Sequence, residues 1–134
     1  MFSVRSRIYI GFSSSKKHLF SSQSSEHSKY HVLFYDYVPN VLEKRDPYRP
    51  AHFKHVMKLV DKGTLQLGGA WGVDGDDENP DFGNNTVDGA CVIFKGMTRE
   101  EIVAFVKEDP YFVNGLISGY RIRPWTVVVG AAMN

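Results

Sequence analysis

Residues Tyr30–Tyr37 (YHVLFYDY) carry apolar side chains on both sides of an extended chain, and no other stretch constrains the fold as much. The run is aromatic and β-branched and is bounded by Pro39 and Asn40, which marks a strand. Successive strand side chains point to opposite faces. Val32 and Phe34 therefore face one way, and Leu33 and Tyr35 the other. Both faces need cover.

The remaining pattern says what could supply it. Asp46 can cap a helix, Pro47 suits a first helical position, and Phe53, Val56, Met57 and Val60 recur at helical spacing as a buried stripe. Pro50 blurs the start, because it too tolerates only a first turn. Gly63 ends this helix, and Thr64–Ala70 forms a short second strand. Trp71–Asn85 is rich in Gly, Asn and acids and reads as a long loop. Its run Asp74–Asp81 is not a calcium loop of the EF-hand type: Asn79 stands where the turn glycine belongs, and no bidentate Glu closes it. Val87–Lys95 is a third strand, in which Cys91 reads as a small buried hydrophobe. Thr98 and Glu101 then form a capping box, with Met97 and Ile102 placed as a hydrophobic staple. Ile102, Val103 and Val106 give that helix its buried stripe, and it ends before Pro110. A fourth strand falls within Ser118–Val129.

The order strand–helix–strand–strand–helix–strand implies an α+β fold, a ferredoxin-like βαββαβ plait with a four-stranded antiparallel sheet. Two helices cover only one face of such a sheet. The other face, apolar in the first and third strands, calls for a second copy of the chain, so a homodimer with sheets face to face is expected.

The 134 residues are enough for one domain, and no apolar run approaches the ~20 residues of a membrane span. The single cysteine excludes an internal disulfide and any multi-cysteine metal site within one chain. A net charge of +1 argues against nucleic acid as a partner, but the charge is unevenly spread. Met1–Ser25 holds four basic residues, nine serines and no acid, whereas residues 26–134 carry a net −3. That contrast implies a leader over residues 1–29, of the mitochondrial transit type, before a folded domain over 30–134; an inert tail would leave the chain cytoplasmic.

No nucleotide loop, nucleophile elbow or metalloprotease helix motif occurs. His52 and His55, three apart, make a poor zinc pair, and no metal site is expected. His52 lies at the border of the apolar helical stripe, His55 well outside it, and Arg49 within the stripe itself. A charge there needs a partner. Of the candidates Asp36, Asp61 and Asp109, Asp61 is excluded because nine positions along one helix place it on the far side, about 13.5 Å away. Asp109, at the end of the second helix, is the reachable one. A carboxylate-oriented imidazole can serve as general acid or base near neutral pH. Arg49, Arg121 and Arg123 could then hold an anionic substrate, with Tyr35 a further contact. The competing reading has Asp109 merely capping the turn at Asp109-Pro110-Tyr111 and His52 satisfied as a border residue.

Leu42-Glu43-Lys44-Arg45, Arg49-Pro50-Ala51-His52-Phe53, Asp109-Pro110-Tyr111 with Gly115, and Arg121-Ile122-Arg123-Pro124-Trp125 together resemble the YCII-related domain family over about Tyr30 to Gly130. The resemblance implies the dimeric α+β barrel superfamily and a His/Asp site, with His52 and Asp109 in the matching positions and Arg49 in the same motif. Most members have no established reaction, and one relative removes chloride from a hydroquinone-type substrate. Two features depart from the family: Phe53 stands where leucine is usual, and the acidic loop matches no family motif. The expectation is a cofactor-independent lyase or isomerase of dehydrochlorinase type, acting on a small anionic or phenolic compound. The alternatives are a non-catalytic ligand-binding or interaction module and, third, a haem protein with His52 or His31 as proximal ligand.

Overall fold

A computed structural model describes residues 29–72 and 87–131, so both the basic leader and the acidic run Asp74–Asp81 lie outside the described residues. Lys29–Thr126 forms one compact unit. Its elements are β1 (Tyr30–Tyr37), the single-turn α1 (Val41–Lys44), a 3-10 turn (Asp46–Tyr48), α2 (Arg49–Asp61), β2 (Leu65–Gly72), β3 (Val87–Lys95), α3 (Arg99–Glu108), the single-turn α4 (Pro110–Val113) and β4 (Ile117–Trp125). The four strands form one antiparallel sheet in the order β2-β3-β1-β4, the plait expected from the sequence.

β1 holds an interior position, as its two apolar faces require. Leu33 stands opposite Val92 and Ile122, and Tyr35 opposite Ala90 and Tyr120; these residues form the face beneath the helices. Phe34 stands opposite Cys91 and Arg121, and Val32 opposite Ile93 and Arg123, on the other face. That second face carries the tilted Phe34–Trp71 ring pair at 6.1 Å and the largely exposed Leu67. Cys91 is half-buried there, and burial pushes its thiol pKa up, as suits a small hydrophobe.

α3 behaves as its sequence dictates. The Thr98 hydroxyl accepts from the Glu101 amide at 3.1 Å, and the Glu101 carboxylate accepts from the Thr98 amide at 2.9 Å, a reciprocal capping box. Ile102, Phe105 and Val106 are buried against Leu33 and Phe94, whereas Val103, expected in the stripe, is only half-buried.

α2 departs from expectation in two ways. It begins at Arg49, and Asp46–Tyr48 is a separate 3-10 turn. Pro47 and Pro50 explain the break, since neither tolerates a preceding helical turn and each must open its own. The second departure matters more. No residue of α2 is fully buried, and Phe53, Met57 and Val60 keep 45%, 44% and 37% of their surface exposed. The apolar stripe is real, but it borders open space instead of a filled core. Across from it the sheet offers Gly68, Ala70 and Ala90, which are too small to close the gap.

Gly89 is needed for close approach on the opposite face. A Cβ there would meet the Trp71 indole and would come within 2.6 Å of the Tyr35 carbonyl oxygen. Its absence lets Trp71 lie across the strand beside Phe34.

Candidate active site

The centre of the site is made by a short stretch of local structure. Asp109 is the N-cap of α4, in extended backbone conformation, Pro110 follows in the first turn, and the Tyr111 amide donates to Asp109 Oδ1 at 2.9 Å. The Asp109 side chain is fully buried. Two further donors arrive from distant parts of the chain. The Tyr35 hydroxyl of β1 donates to Oδ2 at 2.9 Å, and His52 Nδ1 of α2 lies 2.8 Å from Oδ1. Burial, then the charge of Asp109 and its hydrogen bond, push the Tyr35 pKa far above the ordinary tyrosine value of 10.0, so the hydroxyl keeps its proton and donates it.

These contacts set the state of His52. Oδ1 offers only lone pairs, so Nδ1 carries the hydrogen and the neutral ring has its free lone pair on Nε2. The imidazole lies flat on the Tyr111 ring, with centroids 3.8 Å apart and planes 2° from parallel, and it meets the Phe53 ring edge-on at 5.5 Å. A tautomer fixed at one nitrogen and a ring stacked on Tyr111 leave Nε2 in a defined position. Among the described residues Nε2 has no hydrogen-bond partner, and His52 lines the open space beneath α2.

That space is a cavity of about 520 Å³, a size ordinary for small-molecule sites. Phe53, Val56, Met57 and Val60 form one wall, and Leu65, Gly68, Ala70, Ala90 and Val92 of the sheet form the other. Its polar end gathers Tyr35, Tyr37, Arg45, Arg49, His52, Asp109 and Tyr111. Burial, then the Tyr111 phenol and the Asp109 charge, raise the Tyr37 pKa, against a smaller opposing pull from Arg45 and Arg49. Burial raises Tyr111 as well, and the same two guanidinium groups oppose it.

Of the residues singled out from the sequence, His52, Asp109, Arg49 and Tyr35 meet in this cavity. Tyr35 touches Asp109 directly and so acts first on the carboxylate. Arg121 and Arg123 do not join them. They sit on the opposite face of the sheet, where Arg121 pairs with Asp36 at 3.3 Å and lies 5.3 Å over the Phe34 ring. The period-2 rule explains the miss, because Tyr120 and Ile122, not the arginines, share the face of Tyr35. Asp36 is accounted for by the same pair. His55, expected well outside the stripe, instead stacks on Phe105 at 4.5 Å, with Nε2 2.8 Å from the Phe105 carbonyl oxygen. Arg45, Tyr37 and Tyr111 were not proposed from the sequence. Tyr37 is two residues beyond Tyr35 on the same strand face, so spacing alone could have named it, whereas Arg45 lies before the 3-10 turn, outside α2, and no helical spacing from Arg49 reaches it. Among the described residues no three His, Cys, Asp or Glu side chains come together as a metal site.

The three raised tyrosines set an alkaline limit on stability. Their folded pKa values lie above 10.0, so the stabilisation they carry is complete below pH 10 and is lost as the pH rises further. Urea titrations in a pH series should show that decline, and Tyr35→Phe should make it shallower. The same substitution should lower stability at pH 7 by about 1.5–3 kcal/mol, the value of a hydrogen bond to a charged group. An unchanged midpoint would show that the Tyr35–Asp109 bond stabilises nothing.

Residues 29–126 match the YCII-related domain family. An uncharacterised protein of Haemophilus influenzae is 29% identical over 99 residues, which covers 74% of this chain and 98% of that protein. Among solved structures, the 5-chloro-2-hydroxyhydroquinone dehydrochlorinase TftG of Burkholderia phenoliruptrix AC1100, in complex with 2,5-dihydroxybenzoquinone, superposes with a TM-score of 0.60. The two share 22% sequence identity over 72% of this chain and 93% of that one, a likeness of fold. With nearly the whole compact unit matched, the chain belongs to the YCII-related domain family.

Proposed function

We propose that the protein is a small-molecule enzyme that moves protons without a cofactor, of lyase or isomerase type, on a small anionic or phenolic substrate. The observation that carries this reading is the Tyr35–Asp109–His52 chain of hydrogen bonds ending at the wall of a largely apolar cavity. A buried carboxylate that fixes the tautomer of an imidazole is what general acid–base catalysis requires. In the reaction, His52 Nε2 takes a proton from a substrate hydroxyl or from a carbon beside a carbonyl. Asp109 stabilises the imidazolium formed, and Arg49 binds the substrate's anionic group. In an elimination, the electron pair of the broken O–H or C–H bond forms a new double bond, and the leaving group departs with its own pair. In an isomerisation, His52 returns the proton to another carbon. The dehydrochlorinase TftG acts on a hydroxylated ring, which supports the elimination branch for this chain. His52→Gln tests the reading against a non-catalytic binding module. The variant should fold and should still bind phenolic ligands, but turnover of chlorinated hydroquinones and of β,γ-unsaturated cyclic ketones should fall by about 10²-fold or more. Turnover equal to wild type would exclude His52 as the base.

Two further proposals concern assembly and address. The apolar second face, with Phe34, Cys91 and Ile93 half-buried and Leu67 and Trp71 exposed, supports a homodimer with sheets face to face. Sedimentation equilibrium at micromolar concentration should return twice the mass of the chain, and a stable monomer would refute the dimer. The serine-rich leader over residues 1–29, acid-free through Ser25, supports mitochondrial targeting. A fluorescent reporter fused behind them should reach mitochondria, and a diffuse cytosolic signal would refute that address.

A further inference from the structure

Arg45 stands out at the polar end of the cavity. Its backbone is tied down on both sides: its amide donates to the Val41 carbonyl at 2.9 Å, and its own carbonyl accepts from the Tyr48 amide at 2.9 Å. The guanidinium is therefore presented from a fixed point between α1 and the 3-10 turn. Among the described residues its Nε is shut off from solvent without a hydrogen-bond partner, and no carboxylate pairs with the side chain. A buried donor without an acceptor is costly, so a group of this kind marks a place where an acceptor belongs. Arg49 lies at the same end of the cavity, and its guanidinium is held 5.0 Å over the Phe53 ring. Asp109 does not neutralise either arginine. Its oxygens are occupied by Tyr35, His52 and the Tyr111 amide.

We infer that Arg45 and Arg49 form a carboxylate-binding subsite, and that the ligand of this cavity is a cyclic acid whose carboxylate sits there while its ring reaches His52. This deepens the proposed proton-transfer function and rests on it for the role of His52. The guanidinium fork matches a planar carboxylate in two parallel hydrogen bonds, a geometry that a phenolate oxygen cannot offer. Arg49 and His52 are three residues apart on α2, about 4.5 Å along the helix axis. Residues three apart share one helix face, so a ring-sized ligand in this cavity can meet both side chains, its acid group toward the arginines and its hydroxyl toward His52. Phe53, Val56 and Met57 along the same helix supply apolar cover for the ring. The second arginine changes the ligand class: it selects a ring acid over a neutral polyphenol of the same size.

A matched pair of probes tests this on the full chain by calorimetry: 4-hydroxybenzoate, and 4-hydroxybenzamide, which keeps the ring, hydroxyl and shape but has no charge. Wild type should bind the acid at least about tenfold tighter than the amide. Arg45→Met should bring the two within about twofold while its thermal unfolding stays close to that of wild type, and Arg45→Lys should restore part of the preference. His52→Gln should keep the preference, because that residue meets the ring's far end. Equal binding of acid and amide by wild type would overturn the carboxylate subsite and leave the proton-transfer reading in place, as would a preference that survives Arg45→Met. Binding of neither probe would count against both.

Discussion

The buried carboxylate of Asp109 is the constraint from which the rest of the site follows. An ion shut away from water is tolerated only where donors replace its hydration. Here they come from three separate segments: β1 through Tyr35, α2 through His52 and α4 through the Tyr111 amide. A strand in the middle of the sheet and two helical elements are thereby tied to one group. Each bond serves both the ion and the element that supplies it. The Tyr111 amide would otherwise be an unpaired helix-start donor, and the imidazole would otherwise choose freely between tautomers.

The cavity arises from a difference between two helices that the plait treats alike. α3 buries Ile102, Phe105 and Val106 and closes its half of the sheet. α2 faces a strip of glycine and alanine and stays lifted from it, with its phenylalanine and methionine lining open space. Exposed apolar surface of this kind weakens a domain of this size, and it gives a ligand somewhere to bind. The polar cluster sits at one end of that space, so a bound molecule has an apolar body contact and a reactive end by construction.

Much of this was legible in the sequence, and the misses have physical causes. The plait, the capping box and the meeting of His52 with Asp109 follow from periodicity, cap chemistry and elimination of Asp61. Sequence reasoning set two roles for Asp109 against each other, a turn cap or a partner for histidine. The structure shows both contacts, because a carboxylate has enough lone pairs for the amide, the imidazole and a phenol at once. Arg121 and Arg123 fall on the far face of the sheet because strand side chains alternate, so their charge alone is no guide to the site. The open state of the α2 stripe could not be read at all. Helical spacing tells which residues share a side, and only the small residues opposite, brought there by sheet register, tell whether that side is filled.

The shared duty of Asp109 bears on how such a chain can change over time. A descendant that lost all chemistry would still need Asp109 and Tyr111 to start α4, so selection for folding alone would keep the Asp-Pro-Tyr signature. Arg45 and Arg49 hold no comparable structural post: their side chains neither begin a helix, nor fill the core, nor bond to Asp109. Among relatives of this protein, the Asp-Pro-Tyr triplet therefore reports ancestry. The two arginines report whether the pocket is still in use.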